Sequence, residues 1–343
     1  MQNGFVQLMQ TFAPDLAEEM ALRALVLERV ASMAPVGRRQ LAVRLGLTER
    51  EIRSAANTLK EGGFIRFDAA GMALTARGEE VLPQVQALNR ELHGLTELEE
   101  QLAGLLRVDR VCIVSGDADQ DESVKVELGR TAAYRVRSLL HHGSTLAVTG
   151  GSTIAATAQA MQSQNPLRVM VVPARGGFGR AAVATQANTI AAQIAGRLGG
   201  HHRMIHLPDH MDEAAKQEML RLPEIREVME LIQRADVILH GIGCAEDNIR
   251  ETKLSASQAR RLLEDGAVGE AFGSYFDREG KCLLESSSIG VDLARLSPGS
   301  RMIAVAAGKR KAEAIMAVMR HDPHALLVTD EGAAREMLRL LNT

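Results

Sequence analysis

Thr145-Leu146-Ala147-Val148-Thr149-Gly150-Gly151-Ser152-Thr153 is the stretch on which the reading of this chain turns. A short β-type run meets a Gly-Gly pair and then a Ser-Thr pair. Ile154, Ala158 and Met161 follow with the spacing of one helix face. Strand, glycine turn and helix start is how an α/β protein builds an anion site. The first helical amides have no partner within the helix and lie at the positive end of its dipole. Glycines let the backbone close on a ligand with no Cβ in the way, and Ser152 and Thr153 add hydroxyls. Two readings stay open: a phosphate cradle, or an ordinary βα turn with Ser152 or Thr153 as N-cap. The turn has neither the Lys of a P-loop nor the spacing of a dinucleotide fingerprint.

Outward from the turn, from Asp109 on, short apolar runs alternate with helical patterns. Residues 110–114, 146–149, 169–172, 204–207, 237–240, 302–306 and 326–329 read as strands. Residues 122–141, 154–162, 182–197, 225–234, 311–320 and 331–340 read as helices. That alternation predicts a Rossmann-like α/β domain with a mostly parallel sheet, covered on both faces and binding its ligand at the carboxyl ends of the strands. The polar turns at those ends form one set. They are Gly150 to Thr153; Pro173-Ala174-Arg175-Gly176-Gly177-Phe178-Gly179-Arg180; His240-Gly241-Ile242-Gly243 leading to Arg250; and Ala307-Gly308-Lys309-Arg310-Lys311. Glycine turns converging with Arg and Lys suit a small polyanion.

The 343 residues suggest two domains, and 46% hydrophobic with 24% charged residues is the balance of an ordinary soluble globular protein. Aromatics are 3% and Trp is absent, so the core must be aliphatic and Met. The three cysteines, Cys112, Cys244 and Cys282, stand far apart with no C-x-x-C pair, which fits reduced thiols. No signal peptide and no membrane-spanning apolar run is read, so the expectation is a cytoplasmic protein without membrane contact. Net charge is −3, but residues 36–78 hold eight Lys/Arg against four Asp/Glu, leaving 32 basic and 39 acidic residues elsewhere. A basic module on an acidic body is the asymmetry of a nucleic-acid reader with a regulatory domain.

Within that module, residues 9–33 read as a helix with Pro14 near its start and Pro35 beyond its end. A short helix carrying Leu41 and Leu45 stops at Gly46. Thr48 and Glu51 then form a capping box for the next. Gly62 to Thr75 reads as two short strands around a glycine turn, hence a wing. The whole, residues 1–78, is a winged helix-turn-helix with its N-terminal helix. Thr48, Arg50, Arg53, Ser54 and Asn57 are placed at or on the exposed face of the second helix, for base edges. Arg38, Arg39, Lys60 and Arg66 are assigned to phosphates. Ile52, Ala56 and Leu59 face the core. Residues 79–107 read as one long helix in which Val81, Leu88, Leu95 and Leu102 recur every seven residues, beside Val85, Leu92, Leu98 and Leu105. Such a linker either pairs two chains or packs on its own domain.

The motifs Thr149-Gly150-Gly151-Ser152-Thr153, Val172-Pro173-Ala174-Arg175-Gly176-Gly177, Gln186-Ala187-Asn188-Thr189, His240-Gly241-Ile242-Gly243, Glu270-Ala271-Phe272-Gly273 and Lys311-Ala312-Glu313-Ala314-Ile315 carry a resemblance. Together they resemble the SorC family of sugar-responsive bacterial transcription regulators, over essentially the whole chain. The resemblance implies a repressor of glycolytic genes. Its effector domain, residues 108–343, would have the sugar-phosphate isomerase/deaminase fold and bind fructose 1,6-bisphosphate. Gly150, Gly151, Ser152 and Thr153 would hold one phosphate. Arg175, Arg250 and Lys311 match the cationic positions, and Gln186 and Glu270 the polar ones, Glu270 at sugar hydroxyls. Operator DNA, the effector and a second copy, in a homodimer or homotetramer, are the implied partners, with no cofactor. Ser152 stands where a member of that family has Thr and keeps the hydroxyl, while residues 244–249 match the family poorly.

Three rival readings stand beside this one. Sugar-phosphate deaminases share the Gly-Gly-Ser-Thr loop but present an Asp-Gly-His run for acid/base chemistry, where this chain has Gly243-Cys244-Ala245-Glu246-Asp247-Asn248. His202, His206 and His210 have helical spacing but fall on a strand and a turn, so no metal is read there. Another phosphorylated sugar, polyol or nucleoside is the alternative effector.

Overall fold

The computed structural model describes residues 2–162, 165–176, 182–207, 211–251, 254–286, 288–322 and 324–342. The chain starts with α1 (Gln2–Phe12) and α2 (Pro14–Met33). The expected single helix is therefore two, parted at Ala13, with Pro14 in the first turn where its missing N–H costs nothing. Next come α3 (Arg38–Leu45), α4 (Glu49–Glu61) and the antiparallel pair β1 (Ile65–Asp68) and β2 (Gly71–Leu74). Gly46 ends α3 in the left-handed conformation, and Thr48 with Glu51 forms the capping box of α4. Leu41, Ile52, Ala56, Leu59, Ile65 and Met72 close on Val26, Leu27 and Val30 of α2 as one core.

The expected long linker helix is broken. It is α5 (Ala76–Leu92) and α6 (Leu95–Leu106), parted at His93 and Gly94, where Gly94 takes φ 61°. The seven-residue recurrence is thus the sum of two helices with different partners. Val81, Leu82 and Val85 pack on the winged-helix core, and Leu88 and Leu92 on Val6 and Ala17. Leu95, Leu98, Leu102 and Leu106 are buried in the core of the following domain. Leu92, Leu95, Leu98, Leu102 and Leu106 are thus buried by their own chain, while Leu105 is 49% exposed.

That domain runs β3 (Arg110–Val114), α7 (Val124–Leu139), β4 (Thr145–Val148), α8 (Ser152–Ala160), β5 (Met170–Pro173), α9 (Ala187–Leu198) and β6 (His201–His202). It continues with α10 (Glu213–Arg221), α11 (Pro223–Gln233), β7 (Val237–Gly241), β8 (Gly243–Cys244), α12 (Ala245–Glu251), α13 (Ala256–Glu264), β9 (Gly269–Ala271), β10 (Ser274–Phe276) and β11 (Cys282–Leu284). It closes with β12 (Arg301–Val305), α14 (Ala312–His321), β13 (Ala325–Asp330) and α15 (Glu331–Leu341). The main sheet is parallel, in the order β3-β13-β12-β7-β4-β5-β6. From β4 the chain winds outward to β6, then returns to β7 and winds the other way. The crevice between the carboxyl ends of β4 and β7 is therefore the topological switch point, the place where such sheets take ligands.

The strand expected at 204–207 is absent; the pairing falls at His201–His202 instead. Asn188 explains this. Its side chain donates to the Ile205 carbonyl at 2.8 Å and accepts from the Ile205 amide at 3.1 Å, in place of a neighbouring strand. His210 lies outside the described residues, and no His/Cys/Asp/Glu group among the described residues could hold a metal. The antiparallel sheet β11-β10-β9-β8 and helices α10, α12 and α13 were not read from the sequence. Among the described residues no helix is long and apolar enough to cross a membrane.

Candidate ligand site and nucleic-acid interface

The glycine turn is held from behind. Gly151, at φ 119°, donates its amide to the Thr185 carbonyl at 2.9 Å, and a Cβ on Gly150 would stand 2.7 Å from that oxygen. No side chain caps the start of α8. The first amides of the helix thus have no side-chain cap, the arrangement that suits an external anion. Ser152 is exposed beside them. Thr153 differs from the expected role. Its hydroxyl is buried and donates to the Val305 carbonyl at 3.0 Å, tying α8 to β12, so it is not offered to the turn as the sequence reading expects.

The end of β7 closes on this turn, since the Gly241 amide donates to Thr149 Oγ1 at 3.1 Å. Next to it the Lys311 Nζ donates to the Ile242 carbonyl at 2.9 Å, and burial pushes the ammonium below its ordinary range. Glu270 borders the adjacent Gly243: a Cβ there would lie 3.0 Å from Glu270 Oε2. Its other oxygen accepts from the Gly273 amide at 2.7 Å and lies 3.8 Å from Arg175 Nη1. Burial raises the Glu270 carboxyl, against the lowering pull of Arg175, the Gly273 amide and Lys311. The turn that aims that amide holds Phe272 at φ 54° and Gly273 at φ 85°, and any side chain at Gly273 would strike the Arg175 guanidinium. Strain of this kind, held by its surroundings, is a mark of a built site. The Phe272 ring lies on His240, 4.5 Å between centroids, and burial brings that imidazole down to about 4, so it is neutral.

Gly150, Gly151, Ser152, Lys311, Glu270 and Arg175 thus line one linked set of turns, with the half-buried Gln186 at the N-cap of α9 behind the glycines. Arg250 is not brought to it. Its side chain is 70% exposed and pairs with Glu246 one turn back on α12. Asn248, on the same helix, is the residue that meets Glu270, donating Nδ2 to Oε2 at 3.2 Å. Sequence reasoning missed it because α12 itself was not read. Arg310 is committed to Asp119 and Asp247, and Lys309 pairs with Glu336.

The 308–311 turn also rests on the loop between β3 and α7. Asp117 accepts from the Lys309 amide at 3.3 Å, and Asp119 from the Arg310 amide at 2.9 Å. The same loop holds the first domain. Arg29 of α2, its side chain 2% exposed, donates Nε to Asp121 at 2.9 Å. Beside it Asn89 donates to Glu28 at 3.1 Å. His93 meets Glu331 at 3.2 Å, and that hydrogen bond raises the imidazole. For Glu331, burial is outweighed by the bonds from His93 and Arg335, and its carboxyl falls to about 2.

On the reader face, Arg50, Arg53, Ser54 and Asn57 of α4 are exposed, while Ile52, Ala55, Ala56 and Leu59 are buried. Arg53 and Arg39 both reach Glu49, at 3.1 and 3.3 Å, and the bond from Arg53 holds that carboxyl below the usual range. The Thr48 hydroxyl serves the capping box, 2.6 Å from Glu51 Oε2. Arg38 and Lys60 lie over the Phe67 ring, and Arg66 pairs with Asp68 at 2.9 Å. Val43 of α3, 83% exposed, is an apolar group on this module that the sequence did not single out.

Comparison with known proteins agrees with both halves. The sugar-binding domain family matches residues 90–339, and the CggR N-terminal DNA binding domain family matches residues 20–88. The chain is 38% identical over 342 residues to the central glycolytic genes regulator of Priestia megaterium, covering 99% of each. Among solved structures, a SorC family transcriptional regulator from Enterococcus faecalis is 36% identical over 71% of this chain and 99% of its own, with TM-score 0.64. The full-length sorbitol operon regulator SorC from Klebsiella pneumoniae shares the fold at 19% identity, covering 93% of this chain and 99% of its own, with TM-score 0.62.

Proposed function

We propose, from the premise that this chain belongs to the SorC family of DNA-binding transcription regulators and is not an enzyme, that it represses glycolytic genes until a sugar phosphate binds. The effector proposed is fructose 1,6-bisphosphate. One observation carries the reading. At the switch point of the sheet, an uncapped helix start after Gly150 and Gly151 stands beside a half-buried ammonium, Lys311, and a carboxylate, Glu270. Amides and Lys311 suit phosphate oxygens, while a carboxylate suits hydroxyls. Absence of the Asp-Gly-His run agrees with binding without turnover.

The route to DNA follows from the same contacts. A ligand that draws the glycine turn, the β7 end and Lys311 together acts on the 308–311 turn, hence on Asp117 and Asp119, and their loop holds Arg29. It changes operator affinity only by binding one arrangement of the reader more tightly than the other. Winged helices pair on two half-sites, so the proposed unit is a dimer or tetramer in the cytoplasm.

The second reading is a sugar or polyol monophosphate. Arg250 points away and Arg175 already faces Glu270, which leaves less positive charge for a second phosphate. Following the melting temperature during titration with fructose 1,6-bisphosphate, fructose 6-phosphate and inorganic phosphate separates the two. The bisphosphate should stabilise most, by about 2.7 kcal/mol at a hundred times its Kd. A larger gain from the monophosphate selects the second reading, and no gain from any phosphate discards both.

A further inference from the structure

Glu270 is fixed by more than the turn that carries it. Tyr275 on β10 pairs in register with Glu270 on β9, so the two side chains share a face of the small sheet. Tyr275 is 2% exposed, and its hydroxyl donates to Asn248 Oδ1 at 2.6 Å. The amide orientation is dictated by chemistry. A carboxylate only accepts, so the Asn248 NH2 must face Glu270 and its oxygen must face the phenol. Tyr275 packs with Ala245, Ile249 and Leu262, which fastens α12, the helix that carries Asn248, to the sheet.

From this geometry, and resting on the sugar-phosphate reading above, we infer that Asn248, oriented by Tyr275, is the positioning residue that sets the site's preference for a hydroxyl-bearing ligand. It holds Glu270 Oε2 while the Gly273 amide holds Oε1, so the carboxylate keeps one direction. A carboxylate fixed there accepts from sugar hydroxyls with its remaining lone pairs and repels a misplaced phosphate. Freed of Asn248 it can turn away, and the advantage of hydroxyls over bare phosphates declines.

Two bisphosphates read this directly: fructose 1,6-bisphosphate, and hexane-1,6-diol bisphosphate, which has both phosphates and no free hydroxyl. In the full chain, Asn248→Ala should weaken the sugar bisphosphate on the order of tenfold, the scale of one hydrogen bond to a charged group. The diol bisphosphate should bind as before. Tyr275→Phe, which keeps the packing, should act in the same direction by roughly threefold, the scale of one neutral hydrogen bond. Equal loss for both compounds, or no loss for either, overturns the inference; if Asn248→Ala does not fold, Tyr275→Phe decides alone. A parent chain that binds neither compound instead removes the effector reading on which this rests.

Discussion

At the scale of single residues, the junction between reader and effector domain is where charge is least comfortable. Glu28 is 6% exposed, and burial pushes its carboxyl up to about 7, against the lowering pull of Arg29, Asn89 and His93. Glu127 adds to the rise. The folded chain therefore keeps a proton that the unfolded chain releases near 4.5, and stability falls as pH rises from there to about 7. Replacing Glu28 by Gln, which keeps an acceptor for Asn89, should raise the melting temperature at pH 8 and change it little at pH 4. The upper limit is about 3 kcal/mol. Equal melting at pH 8 contradicts the assignment. Much of the candidate site was legible at this scale, because a glycine pair before a helix start has a local meaning. What was not legible depended on direction. Nothing in the sequence turns Thr153 toward Val305, Arg250 back to Glu246, or Asn248 toward Glu270; those are set by helix phase and by sheets that only the folded chain has.

At the scale of elements, long and strongly patterned segments read well, and short polar ones did not. The inner strands of the parallel sheet are buried on both faces and appear as plain apolar runs. Helices α3 and α4 announce themselves through Gly46, Thr48 and Glu51. Strands β8 to β11 are two or three residues each and carry no period to detect. Across α5 and α6 a genuine seven-residue recurrence misled, because two helices in succession kept it while serving different cores. Leu95 is 0% exposed in the effector-domain core. Leu95→Ala should cost about 2–5 kcal/mol in urea denaturation and leave the mass by light scattering unchanged. A change in mass with stability kept restores the seam between chains.

At the scale of the whole molecule, one loop between β3 and α7 touches both the candidate ligand site and the scaffold of the DNA-binding domain. Its Asp117 and Asp119 support the turn that ends in Lys311, and its Asp121 holds a buried arginine of the reader's own scaffold. A buried ion pair is a poor source of stability but a stringent one for geometry, since breaking it strands a charge. On the proposed function, ligand capture and reader posture move as linked quantities, with a coupling of about 1–3 kcal/mol as the ordinary range. The decisive measurement is the affinity of the full chain for duplexes it has itself selected from a random pool, followed by fluorescence anisotropy with and without saturating fructose 1,6-bisphosphate. The expected result is a change in duplex affinity of roughly 5- to 150-fold. Saturation of the ligand site with duplex affinity unchanged would contradict it.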